Sequence, residues 1–100
     1  MRLYYVPASP YARIVRSALI ATGLADGIEH HETTLRDPAS DLLPVNKVGR
    51  VPTLVLTDET ALTETFAILF WIETRHAGPR LIPRDDWASV ARLGTAMGFL

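Results

Sequence analysis

Seven consecutive apolar residues, Phe66-Ala67-Ile68-Leu69-Phe70-Trp71-Ile72, follow Glu64-Thr65 and run into the polar residues Glu73, Thr74 and Arg75. The segment reads as a helix from Glu64 to about His76, and a helix that is apolar all round is buried on more than one side. It has to lie between a sheet and something else, and a chain of 100 residues has little left to be that something else. With 48% apolar and 21% charged residues the length suits one globular domain. Folding at this size removes roughly two-thirds of the unfolded surface from water, enough for a core without disulfides or a structural metal.

Composition excludes several chemistries. There is no cysteine, which removes disulfide staples, thiolate metal sites and any protein-thiol nucleophile. The formal charge of -1 gives no electrostatic case for nucleic acid or an anionic membrane as the main partner. The opening Met1-Arg2-Leu3-Tyr4-Tyr5-Val6-Pro7 is too short for a secretory core or a membrane span, so a soluble, cytoplasmic protein is expected. His30-His31 lacks an evident third ligand, and neighbours in a strand point to opposite faces, so no metal is expected. Trp71 and Trp87 read as packing residues, the first in the apolar helix and the second at a domain junction.

Leu3 to Val6 favours a strand, and Ser9-Pro10 is an N-cap before a residue suited to the first helical position. The helix that starts there carries Ile14, Ala18 and Ala21 on one face beside Val15 and Leu19, and turns Arg13 and Ser17 outward. It ends at Thr22 with Gly23 as a left-handed cap. Ile28 to Leu35 reads as an edge strand, Ser40 to Val45 as a short helical turn, and Asn46 to Arg50 as a loop. Thr53 to Leu56 and Ala61 to Thr63 form a hairpin, with Pro52 at the first residue of its strand. Gly78-Pro79 and Ile82-Pro83 form a linker, and Asp85-Asp86 opens a last helix that reaches Phe99-Leu100 without a cap or polar tail. The order predicts an α/β, thioredoxin-like fold, βαβ followed by αββα, with a four-stranded mixed sheet and helices on both faces.

Three segments, Ser9-Pro10-Tyr11-Ala12-Arg13-Ile14-Val15-Arg16, Asn46 to Leu54 and Leu62-Thr63-Glu64-Thr65 with its apolar helix, resemble the N-terminal domain of a soluble glutathione transferase. The resemblance covers about residues 1–83; residues 84–100 then correspond to a linker and the first helix of a truncated, all-helical C-terminal domain. It implies glutathione as co-substrate, an electrophilic small molecule as second substrate, detoxification chemistry, and a homodimer when the protein is complete. The second-substrate pocket of the family comes largely from the C-terminal domain.

The resemblance also implies roles. Ser9 would donate to the glutathione sulfur at the helix terminus, where a thiol is acidified; Tyr5, near the end of the first strand, is the alternative donor. Val51 would bind the cysteinyl unit through its main chain before a cis Pro52. Glu64 would accept from the γ-glutamyl ammonium, and Thr65, where the family more often has Ser, would donate to its carboxylate; both are also ordinary residues for a helix start. Lys47 and Arg50 would meet the glycyl carboxylate or remain solvated loop charges. Ser9 and Ala12 occupy the cysteine positions of the redox relatives, so dithiol chemistry is excluded, and the same absence disfavours the branches that form a mixed disulfide with glutathione. A non-catalytic binding module and a glutathione-dependent isomerase or dehalogenase remain as alternatives on the same scaffold.

Overall fold

In the computed structural model, which describes residues 1–98, the elements run β1 (Arg2–Tyr5), α1 (Pro10–Ala21), a 3-10 turn (Ala25–Gly27) and β2 (Glu29–Glu32). They continue as β3 (Thr53–Val55), β4 (Ala61–Leu62), α2 (Thr65–Glu73) and α3 (Trp87–Gly98). The strands form one sheet in the order β2-β1-β3-β4, with β1 and β2 parallel and the other pairs antiparallel. This is the thioredoxin-like layout, and β2 is the edge strand expected from its polar sequence. No described helix is long and apolar enough to cross a membrane.

Helix α1 starts where the sequence places it. Ser9 adopts an extended backbone and its Oγ accepts from the Ala12 amide at 3.2 Å, while Pro10 occupies the first turn without wasting a donor. Thr22 closes the helix, its hydroxyl donating to the Ala18 carbonyl at 2.8 Å, and Gly23 takes the left-handed conformation at φ 77°. The buried stripe differs from the expected one. Ala12, Val15, Ala18 and Leu19 are buried, Ile14 is half-buried and Ala21 is exposed. The stripe is centred on Val15, one residue round the helix from Ile14, and leaving the small Ala21 in water forfeits little apolar burial.

The main core lies between this helix, α2 and one face of the sheet. Leu3, Val15, Leu19, Leu54, Ile68 and Ile72 are each inaccessible to solvent, and burying a side chain of this size contributes about 2 kcal/mol. The opposite face carries Tyr4, His31 and Thr53. The segment over it takes the form of overlapping turns, with Leu43 donating to Ser40 and Val45 to Leu42 at 3.3 and 3.0 Å, and Leu42 is buried. Side chains tie that segment down. Asp41 accepts from Thr33 at 2.6 Å and pairs with His31, whose ring meets Tyr4 edge-on, and Asn46 donates to Thr53 at 3.0 Å. The Thr33 hydroxyl, then His31, holds the Asp41 carboxyl below the usual carboxylate range.

Helix α2 buries Thr65, Ile68, Leu69 and Ile72. Its other side is only partly covered by the described residues, and Phe66 and Phe70 are 40% and 56% exposed. Trp87, expected to pack at a junction, is 73% exposed at the start of α3. Trp71 does pack against the core, with the Arg75 guanidinium 5.5 Å from its ring centroid.

A buried carboxylate fixes the exit from α2. Glu73, with 3% of its side chain exposed, accepts from His76 Nε2 at 2.7 Å and from the Leu81 and Ile82 amides at 3.0 Å, with Arg80 3.6 Å away. Gly78 donates its amide to His76 Nδ1 at 3.2 Å, so the Nε2 hydrogen is the one given to Glu73. These contacts seat Ile82 in the core. Burial alone would raise the Glu73 carboxyl, but the His76 bond, the two amides and Arg80 reverse this and lower it to about 2. Its stabilising effect is therefore complete above the ordinary glutamate value and lost as pH falls through about 2. Glu73→Gln is expected to lower unfolding free energy by about 3 kcal/mol at pH 7. Denaturant titrations across pH should show the gap to the parent protein closing below pH 4.5 and nearly gone at about 2; a pH-independent gap contradicts this origin.

Candidate functional site

The ends of β1 and β3 open on the same side of the sheet, and a cleft of about 590 Å³ lies there. Ser9, Arg50, Val51, Pro52, Glu64 and Thr65 line it, six residues proposed from sequence and drawn from three separate segments. Lys47 is exposed on the loop and does not reach the wall. Tyr5 is also outside the cleft; its ring lies under the Arg16 guanidinium, 4.0 Å from the centroid.

Three features leave polar groups available in the cleft. Ser9 Oγ uses a lone pair to cap α1, which leaves its hydroxyl hydrogen unengaged by any described residue. Pro10 has no amide hydrogen, and the Ala12 and Arg13 amides bond to Ser9, so the Tyr11 amide is the remaining donor of the first turn. Glu64 stands at the N-cap of α2 with extended backbone, yet its carboxylate makes no capping bond. Capping is thus not what Glu64 does. Thr65 is 7% exposed, and its hydroxyl bonds to no described residue.

The third feature is the loop before β3. The β1–β3 ladder ends at Tyr4 opposite Thr53, so the Val51 amide and carbonyl continue the strand line without a described partner. The Val51–Pro52 bond is cis, as the resemblance implies. Asn46 holds the loop from inside: its Nδ2 donates to the Arg50 carbonyl and Thr53 Oγ1 at 3.2 and 3.0 Å, and its Oδ1 accepts from Val48 at 3.1 Å. Gly49 adopts φ 71°, the left-handed region that favours glycine, and a Cβ there would lie 3.2 Å from Leu43 Cδ2, so the leucine would have to shift by a few tenths of an ångström.

Sequence reasoning gave no role to two residues of the cleft wall, Arg36 and Tyr11, or to Asn46 behind it. Arg36 lines the wall with a left-handed backbone, φ 56°, uncommon for a residue with a Cβ. Tyr11 faces the cleft and donates its phenol to the Met97 carbonyl at 2.9 Å, which brings the end of α3 to the wall. Asn46 is the internal peg. Tyr11, two residues after Ser9, and Asn46, at the head of the Asn46 to Leu54 segment, had a sequence signal; Arg36 depends on how its loop folds back. The cleft thus carries cations at Arg36 and Arg50, a carboxylate at Glu64, and donors at the start of α1. An extended ligand with both an ammonium and carboxylates suits that set.

Ser9→Ala removes the cap and is expected to lower stability by about 1 kcal/mol, whereas Ser9→Asp should restore most of it. Urea denaturation of the two variants checks this; equal losses would mean that the Ala12 bond contributes nothing.

Comparison with known proteins agrees with the geometry. Residues 3–80 match the family described as glutathione S-transferase, N-terminal domain. A glutathione transferase family member from Pseudomonas fluorescens Pf-5, solved with bound glutathione, superposes with a TM-score of 0.83 at 33% identity over 96% of this chain and 48% of that one. A glutathione S-transferase from Methylobacillus flagellatus, also with glutathione bound, gives 0.78 at 30% identity over 90% of this chain and 44% of that one. A stringent starvation protein A homolog of Coxiella burnetii is 31% identical over 83 residues, 83% of this chain and 38% of its own length. The chain therefore spans less than half the length of these relatives. With the fold, the cleft and the match over residues 3–80 in agreement, the chain belongs to the glutathione S-transferase family, through its N-terminal domain.

Proposed function

We propose that the cleft binds reduced glutathione and that the protein is a glutathione transferase, activating the thiol at Ser9 for attack on an electrophilic small molecule. The observation that carries this reading is Glu64, a helix-cap residue whose carboxylate makes no cap bond and lines the same cleft as Ser9 and Val51. In this reading Glu64 accepts from the γ-glutamyl ammonium and the Thr65 hydroxyl and amide donate to its carboxylate. Val51 pairs with the cysteinyl unit like one rung of a ladder, ahead of Pro52. Arg50 and Arg36 meet the glycyl carboxylate, and Lys47, off the wall, is left out of this set. The thiol loses its proton to solvent, the thiolate accepts the Ser9 hydroxyl bond, and an S–C bond forms as the electrophile's leaving group departs with its electron pair.

Residues 1–83 form the glutathione-binding domain in this reading and 84–100 open a helical one. The whole protein is a cytoplasmic homodimer in which further protein surface covers Phe66 and Phe70. The glutathione bound in the Pseudomonas and Methylobacillus relatives supports the ligand assignment. A second reading is a binding module without transferase chemistry on the same scaffold; one relative carries the name of a stringent starvation protein A homolog and not of a transferase.

Ultraviolet titration of the bound thiol separates the two. Transferase chemistry predicts a thiol pKa at least about one unit below its ordinary value near 8.5, and a return toward that value in Ser9→Ala. Binding with an unshifted thiol would favour the module, and a shift that survives in Ser9→Ala would assign ionisation to the helix terminus alone. Glu64→Gln is expected to weaken glutathione binding by about tenfold in calorimetry, the scale of a charge-assisted hydrogen bond; unchanged affinity would remove Glu64 from the site.

A further inference from the structure

A second depression, about 320 Å³, adjoins the cleft across Arg36, Val48 and Gly49, which line both. Beyond that shared wall it is lined by Thr34, Asp37, Pro38, Ser40 and Leu43. Asp37 is the carboxylate among these residues and is exposed. One of its oxygens accepts from the Ala39 amide at 2.9 Å and the other from Thr34 Oγ1 at 3.2 Å. A carboxylate has about four acceptor positions, so it keeps lone pairs directed to solvent while its orientation is held from both sides. Arg36 stands at the boundary, its left-handed backbone part of the turn that carries Asp37.

Resting on the glutathione reading above, the site has its cations at the glycyl end, and the second depression begins at the same place. We propose that this depression is a subsite for glutathione extended at its glycine carboxyl by an amide-linked group bearing a cation. Arg36 and Arg50 then donate to the amide carbonyl that replaces the carboxylate, and the added cation pairs with Asp37. The thiol stays at Ser9. Glutathione itself leaves the subsite empty, so its binding is independent of Asp37.

Calorimetric titration of the protein with three peptides tests this: glutathione, γ-Glu-Cys-Gly-Lys-amide and γ-Glu-Cys-Gly-Glu-amide. The lysine peptide should bind within about threefold of glutathione and about fivefold more tightly than the glutamate peptide, the scale of an exposed ion pair. Asp37→Asn should abolish that preference and leave glutathione affinity unchanged. The proposal is overturned if both extended peptides bind more than about thirtyfold more weakly than glutathione, a closed end worth over 2 kcal/mol. It is equally overturned if the two extended peptides bind alike in the parent protein, or if Arg36 dominates and the glutamate peptide binds better. The comparison between the peptides needs no variant, so it stands even if Asp37→Asn disturbs the turn. Failure of glutathione itself to bind would instead overturn the reading on which the subsite rests.

Discussion

The antiparallel register of β1 with β3 places everything else. Leu3 lies opposite Leu54 and Tyr4 opposite Thr53, so the chain leaving β1 and the chain entering β3 meet at one end of the two central strands. Both leucines are fully buried beneath α1 and α2. A slip of β3 by one residue would turn Leu54 to the other face and carry Thr53, bonded there to Asn46, into the apolar core. The same register that fixes the core thus brings Ser9, after β1, to Val51 and Pro52, before β3. The cleft is a consequence of the core.

Within the cleft, the groups open to a ligand are those that secondary structure leaves over. A helix exposes unsatisfied amides at its start, and a ladder exposes main chain past its last pair. Ser9 serves both sides of this arrangement: its oxygen completes α1 while its hydrogen stays available. Arg36 and Gly49 supply the unusual backbone, one at the cost of about 1–2 kcal/mol for a left-handed residue with a Cβ, the other without that cost. Asn46, 5% exposed, holds the loop so that these groups keep their positions before a ligand arrives. Such preorganisation lowers the entropy lost on binding.

Where local chemistry decides, the sequence was readable. Ser9-Pro10 and Gly23 bounded α1 correctly because caps act within a few residues, and the polar run Glu29-His30-His31-Glu32 marked an edge strand. The three motifs of the cleft were legible for the same reason, each being a turn or a helix start. Contacts made across the fold were not. Glu73 looked like the polar end of a helix, yet it gathers His76 and two linker amides; Arg36 drew no reading from the sequence, yet its turn sets it on the cleft wall. Tyr5 and Lys47 had suitable chemistry but lie off the wall, which only the tertiary arrangement decides. The apolar run from Phe66 to Ile72 asked for cover on more than one side, and the exposed Phe66 and Phe70 show which side the described residues leave open.

The central claim is that groups left over at two helix starts and one ladder end form a single glutathione site. Amide chemical-shift mapping during titration with reduced glutathione tests it most directly. The account predicts the largest, saturable shifts at Tyr11 and Ala12, Val51, and Thr65 and Phe66, with little change at Tyr5 or Lys47. Shifts centred elsewhere, or none at millimolar glutathione in folded protein, would contradict it.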